Sequence, residues 1–112
     1  MRYPKLFGNV LSLSGSFWWS PEGTPADKAE HVAQAIATRE NLGLRFFLAP
    51  GLFETRGMRD VGGILETNRH LRDVLVAKGY DVMLREYAGG HDYFVWRGAI
   101  SDGLVALFGK SR

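Results

Sequence analysis

The chain has 112 residues, 46% of them hydrophobic and 12% aromatic, which suits one packed domain and excludes a disordered segment. A net charge of +2 arises from basic residues scattered among acids, so the basic stripe of a nucleic-acid surface is excluded. Cysteine is absent, which removes disulfides, thiol catalysis and thiolate metal sites and fits a reducing cytosol.

Residues 6–17 are interrupted by Gly8, Asn9, Ser12, Ser14 and Gly15, so neither a signal peptide nor a membrane span is expected. Val10-Leu11-Ser12-Leu13-Ser14 is short, apolar and stopped by Gly15, as a buried strand would be. An aromatic loop follows, Ser16-Phe17-Trp18-Trp19-Ser20-Pro21-Glu22-Gly23. Thr24-Pro25 then reads as an N-cap with proline at the first helical position. Ala29, Val32, Ala33, Ile36 and Ala37 recur behind it at helical spacing, up to a stop near Asn41-Leu42-Gly43.

Leu44-Arg45-Phe46-Phe47-Leu48-Ala49 is the strongest strand pattern, ended by Pro50-Gly51. An irregular segment leads to a second helix with Ile64, Leu71, Val74 and Leu75 on its apolar side and Gly79 as its stop. Tyr80–Tyr87 reads as a further strand, running into Ala88-Gly89-Gly90-His91-Asp92. A last helix places Ile100, Leu104, Leu107 and Phe108 on one apolar side. Strands alternating with helices on this period predict an α/β fold of about three parallel strands and three helices. Ligands in such sheets sit beyond the carboxyl ends of the strands, so the loops at 15–23, 50–63 and 88–95 are the places to look.

The third loop carries chemistry. His91 follows two glycines at a strand exit, and histidine exchanges protons near neutrality. The competing reading is a surface-loop histidine that caps the following helix or does nothing, and Asp92 could itself be that cap. Glu54, in Pro50-Gly51-Leu52-Phe53-Glu54, lies past the preceding strand, where a carboxylate can hold the tautomer of a histidine on the neighbouring loop. Its alternative is a solvated carboxylate paired with Arg56 or Arg59. Asp60 is the rival acid. Acid before histidine matches the chain order of α/β-hydrolases, Ser then Asp or Glu then His.

The serine is not found. None of the six serines has glycine two residues before and two after it, and Leu13-Ser14-Gly15-Ser16 opens no helix, so no nucleophile elbow is expected. The three histidines show neither H-x-H nor H-E-x-x-H spacing, and no phosphate-binding glycine motif occurs. Neither a metal nor a cofactor is therefore expected.

Leu13-Ser14-Gly15-Ser16-Phe17-Trp18-Trp19 together with Ala88-Gly89-Gly90-His91-Asp92-Tyr93-Phe94-Val95-Trp96-Arg97-Gly98 resembles the enterochelin esterases. These belong to an esterase branch of the α/β-hydrolases that also includes esterase D and mycolyltransferase-like proteins. The resemblance runs from about Tyr3 to the last helix. It implies that His91 is the catalytic histidine and that Glu54 stands where relatives place the triad acid. It also implies an ester substrate of the siderophore type, anionic and aromatic, often carrying ferric iron and cleaved in the cytoplasm. Trp18 and Trp19 would stack on it, and Arg56, Arg59 and Arg97 would meet its charge. Each could equally be structural.

Relatives carry Gly-x-Ser-x-Gly-Gly upstream of the first motif, and this sequence does not. Residues 1–112 are therefore expected to form a partial esterase domain, without the early strands and the elbow, that is inactive alone. The competing expectations are a non-catalytic α/β module that binds a ligand or partner, and a half-domain completed by dimerisation across its incomplete sheet. Nucleic acid and membrane are not expected partners.

Overall fold

The structure, a computed structural model, describes residues 2–57 and 61–110. Three strands, β1 (Asn9–Leu13), β2 (Arg45–Ala49) and β3 (Asp81–Leu84), form one sheet in the order β1-β2-β3. Both pairings are parallel and in unbroken register, Leu13 against Ala49 and Leu48 against Leu84 among them. The helices are α1 (His31–Ala37), α2 (Ile64–Ala77) and α3 (Tyr93–Phe108). Strand and helix alternate as the sequence predicts.

β2 is central and buried on both faces, as its apolar run requires. Phe46 and Leu48 pack with Ala33, Ile36, Leu71 and Leu75 of α1 and α2. Phe47 and Ala49 point the other way, against Ala99 and Leu107 of α3. The sheet is thus covered by α1 and α2 on one face and by α3 on the other.

Three expectations are corrected. The first helix does not begin at Thr24. The Thr24 hydroxyl donates to the Pro21 carbonyl, a short 3-10 turn spans Ala26–Lys28, and α1 starts only after Glu30, which sits in the left-handed region at φ 59°. Tertiary ties fix that break: the His31 N–H donates to the Trp19 carbonyl, and the Glu30 carboxylate meets His70 Nδ1 at 2.6 Å. α1 also ends at Ala37, short of Asn41.

The third strand stops at Leu84. The chain then rejoins the sheet at a single bridge between Gly51 and Tyr87, which draws the loops after β2 and β3 together. In α3 the buried side is Ala99, Gly103 and Leu107, while Ile100, Leu104 and Phe108 are exposed. Small residues win that face because the helix lies close on the sheet. A Cβ at Gly103 would stand 2.6 Å from Leu11 Cδ1 and 2.9 Å from Phe47 Cδ1, distances that real side chains do not tolerate.

α2 begins where the Glu66 carboxylate accepts the Gly63 N–H at 2.7 Å, one arm of a capping box. It ends before Gly79, at φ 75°. No helix among the described residues is long and apolar enough to cross a membrane.

Candidate active site

The carboxyl ends of the three strands converge on one hydrogen-bonded group. β1 delivers Ser14, the loop after β2 delivers Glu54, and the loop after β3 delivers His91. Glu54 Oε1 lies 2.7 Å from His91 Nδ1. Glu54 Oε2 accepts the Gly51 N–H at 2.6 Å and the Ser14 hydroxyl at 2.9 Å. The Glu54 side chain is only 3% exposed, whereas that of His91 is 56% exposed. A buried carboxylate therefore backs an imidazole whose other edge is open.

Local sequence explains the placement. Pro50-Gly51 breaks β2, and the Glu54 N–H returns to the Gly51 carbonyl at 3.2 Å, a tight turn that folds the carboxylate back over the Gly51 amide. Gly51 has no room for a side chain, because a Cβ there would collide with the Gly89 carbonyl. The two loops touch backbone to backbone, and the Phe53 N–H donates to Gly89 at 3.1 Å. That contact is what brings Glu54 within reach of His91.

On the other side, Asp92 caps α3, accepting the Phe94 and Val95 N–H groups at 2.9 and 3.1 Å. This leaves His91 free of the capping role. The His91 ring packs edge-on against Trp96 with centroids 4.8 Å apart, and Trp96 in turn meets Tyr93.

A cleft of about 220 Å³ opens here, lined by Phe53, Glu54, Arg56, Ile64 and His91. Of the proposed cationic contacts, Arg56 thus lies with His91, while Arg59 lies outside the described residues. Trp18 lines a different cavity of about 120 Å³ with Pro21, Thr24, Ala29 and Val61. Trp19 is half exposed and stacks edge-on against His31. Arg97 is exposed on the second turn of α3, and the cleft lining does not include it. Asp60, the rival acid, lies outside the described residues. Among the described residues no group of three His, Asp or Glu side chains is placed to hold a metal.

The solvated alternative for Glu54 fails on its burial and its three partners. Sequence reasoning expected the aromatic start of α3, Trp96 included, to steady His91, and missed the link through Ser14 to Glu54. The Trp96 indole N–H donates to Ser14 Oγ at 2.8 Å, so the two residues extend the network behind Glu54. The only sequence signal was Ser14 itself, a polar residue at the end of an apolar strand. A histidine held by a buried acid beside an open cleft is an arrangement that can relay a proton.

The family model described as "Putative esterase" matches residues 1–107. The chain is 35% identical over 107 residues to the iron(III) enterobactin esterase of Dickeya dadantii, covering 93% of this chain and 24% of that protein. It is 34% identical to the iron(III) salmochelin esterase of Escherichia coli O6:H1, covering 96% and 26% respectively. The crystal structure of the enterochelin esterase of Shigella flexneri superposes with a TM-score of 0.75 at 31% identity, over 96% of this chain and 26% of that one. The chain therefore spans about a quarter of the length of the relatives it matches.

Proposed function

The chain belongs to this esterase family, which it shares with the iron(III) enterobactin esterases, and from that premise we propose that it supplies the acid–base half of a serine-esterase centre acting on enterobactin-type siderophore esters. The observation that carries this reading is the 2.7 Å contact between His91 Nδ1 and a Glu54 carboxylate that is buried and held from behind. A carboxylate offers only acceptors, so Nδ1 carries the proton and Nε2, on the open edge, is the base. Nε2 takes the proton of a serine hydroxyl as that oxygen attacks the ester carbonyl, then returns it to the departing alkoxide. Glu54 stabilises the imidazolium formed between the two steps.

No serine here stands in Gly-x-Ser-x-Gly, so within these 112 residues the centre has its base and its acid without an elbow nucleophile. The chain alone does not turn over ester. Arg56, in the same cleft as His91, meets the negative charge of the substrate. Trp18 and Trp19 provide aromatic surface farther along the loop after β1, and Arg97 adds charge on α3. The substrate class points to action in the cytoplasm, on a siderophore that has brought in its ferric iron.

The test is a chimera in which residues 1–107 replace the matching segment of the Dickeya dadantii enzyme. The chimera is expected to hydrolyse iron(III) enterobactin, and His91→Ala in it to cost at least about a thousandfold in kcat. A folded chimera whose turnover survives His91→Ala would overturn the reading. The isolated chain is expected to give no ester hydrolysis above background.

A second reading has its own support. Ile100, Leu104, Val105 and Phe108 leave an apolar face of α3 exposed, which favours self-association of the isolated chain.

A further inference from the structure

We propose that Ser14 and Trp96 are positioning residues that hold the Glu54 carboxylate so that its Oε1 meets His91 Nδ1–H, and hence set the strength of that hydrogen bond and the orientation of the His91 ring. This rests on the acid–base reading of His91 and deepens it.

An indole N–H can only donate, and a hydroxyl has a single hydrogen beside its acceptor lone pairs. Trp96 Nε1 lies 2.8 Å from Ser14 Oγ, so the Ser14 oxygen must accept there. Its own hydrogen is left for Glu54 Oε2, 2.9 Å away. The Gly51 N–H, at 2.6 Å, also can only donate. Both donors fall on Oε2, which leaves Oε1 as the acceptor for His91 Nδ1–H at 2.7 Å. Trp96 donates to Ser14, Ser14 and Gly51 donate to Oε2 from behind, and His91 Nδ1–H meets Oε1 from the front, so the donors converge on the carboxylate and the free lone pair emerges at His91 Nε2, where the chemistry needs it.

The placement is costly unless it serves something. Ser14 is 4% exposed and sits in the left-handed region at φ 48°, a conformation unfavourable for a side chain other than glycine, asparagine or aspartate. The fold holds it there from several sides. The Ser14 N–H donates to the Ala49 carbonyl at 3.0 Å, and the buried Asn68 amide donates to the next carbonyl, Gly15, at 2.9 Å. Glycine at position 14 would relieve the backbone, yet would bring no hydroxyl. Trp96 touches both ends of the network, with its N–H on Ser14 and its ring edge-on to His91.

Two measurements test the proposal. The first is the ¹⁵N-edited NMR of the histidine rings in the 112-residue chain, for the wild type, Ser14→Gly, Trp96→Phe and Glu54→Gln. Glycine accepts φ 48° without strain and phenylalanine keeps most of the indole packing, so both variants are expected to fold. The wild type is expected to show His91 as the Nδ1–H form. Glu54→Gln, whose amide would donate to the ring, is expected to give the Nε2–H reference spectrum. Ser14→Gly and Trp96→Phe, which keep the carboxylate but loosen it, are each expected to keep the Nδ1–H form with its Nδ1 proton shifted upfield of the wild type.

The second measurement uses the chimeric esterase described above. There each variant is expected to lower kcat about tenfold with KM within about twofold, as misorientation without lost substrate contact does. Because Trp96 acts through Ser14, the double variant should fall no more than about threefold below Ser14→Gly, whereas independent structural damage would multiply. An Nδ1 proton left at its wild-type shift in both variants overturns the inference, even where His91→Ala abolishes turnover and the esterase reading stands. Turnover that survives His91→Ala overturns the esterase reading, and the NMR result still decides the inference. Should one variant fail to fold, the other decides.

Discussion

Replacing Glu54 by glutamine or by alanine separates its chemical role from its structural one. The carboxylate accepts three hydrogen bonds, from Gly51, Ser14 and His91. Glutamine can keep its oxygen on Gly51 and Ser14 and turn its amide toward His91. Both buried donors stay satisfied, so the stability change is expected to be below about 1 kcal/mol. The amide, however, donates to Nδ1, which moves the ring proton to Nε2 and removes the base. The same exchange in a serine-protease triad costs about 10⁴ in kcat, and a similar loss is expected in the chimeric esterase.

Alanine instead leaves the Gly51 N–H and the Ser14 hydroxyl facing an apolar void. At about 1–3 kcal/mol for each unsatisfied buried group, a loss of about 2–5 kcal/mol is expected, a large part of the stability of a domain this size. Urea unfolding followed by tryptophan fluorescence measures the stability difference, and steady-state hydrolysis measures the chemistry. The reasoning is refuted if the two variants are equally destabilised, or if the glutamine variant keeps more than a tenth of the turnover.

Gly103→Ala sets two effects against each other: a helix-propensity gain of about 1 kcal/mol and an overpacking cost of about 1–3 kcal/mol where the new Cβ meets Leu11 and Phe47. A lower urea midpoint is expected, and a higher one would show that α3 is not tightly seated. Tyr87 donates its hydroxyl to Asp102 at 2.7 Å, and burial first, then that bond, pushes its pKa up to about 12. The folded state holds this proton more tightly than the unfolded state does, so the associated stability is complete below pH 10 and is lost as pH rises toward 12. Urea midpoints measured across that range should fall in the wild type and fall less in Tyr87→Phe. Sedimentation of the isolated chain should show association that grows with concentration. Val105→Lys with Phe108→Ser should abolish it without lowering the melting temperature, since both residues are exposed.

Much of this was legible in the sequence because its apolar runs are short and sharply punctuated. Phe46 to Ala49, bounded by Pro50-Gly51, could be little other than a central strand, and His91 behind two glycines marked the site. Glu54 was legible from its distance past a strand end. What could not be read depends on contacts remote in sequence. Glu30 breaks the first helix through partners at Trp19 and His70, which no local pattern reveals. On α3 apolar residues occur all round, so periodicity favoured the large ones, whereas close approach to the sheet selects Ala99 and Gly103. Ser14 was weighed as a nucleophile and set aside, but its service to Glu54 needs Trp96, 82 positions away.

The unbroken register of the sheet has a consequence for tolerance to insertions. Each strand carries one member of the network at its exit, and one residue of strand spans about 3.3 Å, more than a hydrogen bond can stretch. A residue added or deleted inside any strand would leave one partner out of reach and turn that strand's core side chains to the opposite face. Length changes in the long crossing between Ser20 and Ala29, by contrast, alter no strand position, so natural variation in chain length should gather there.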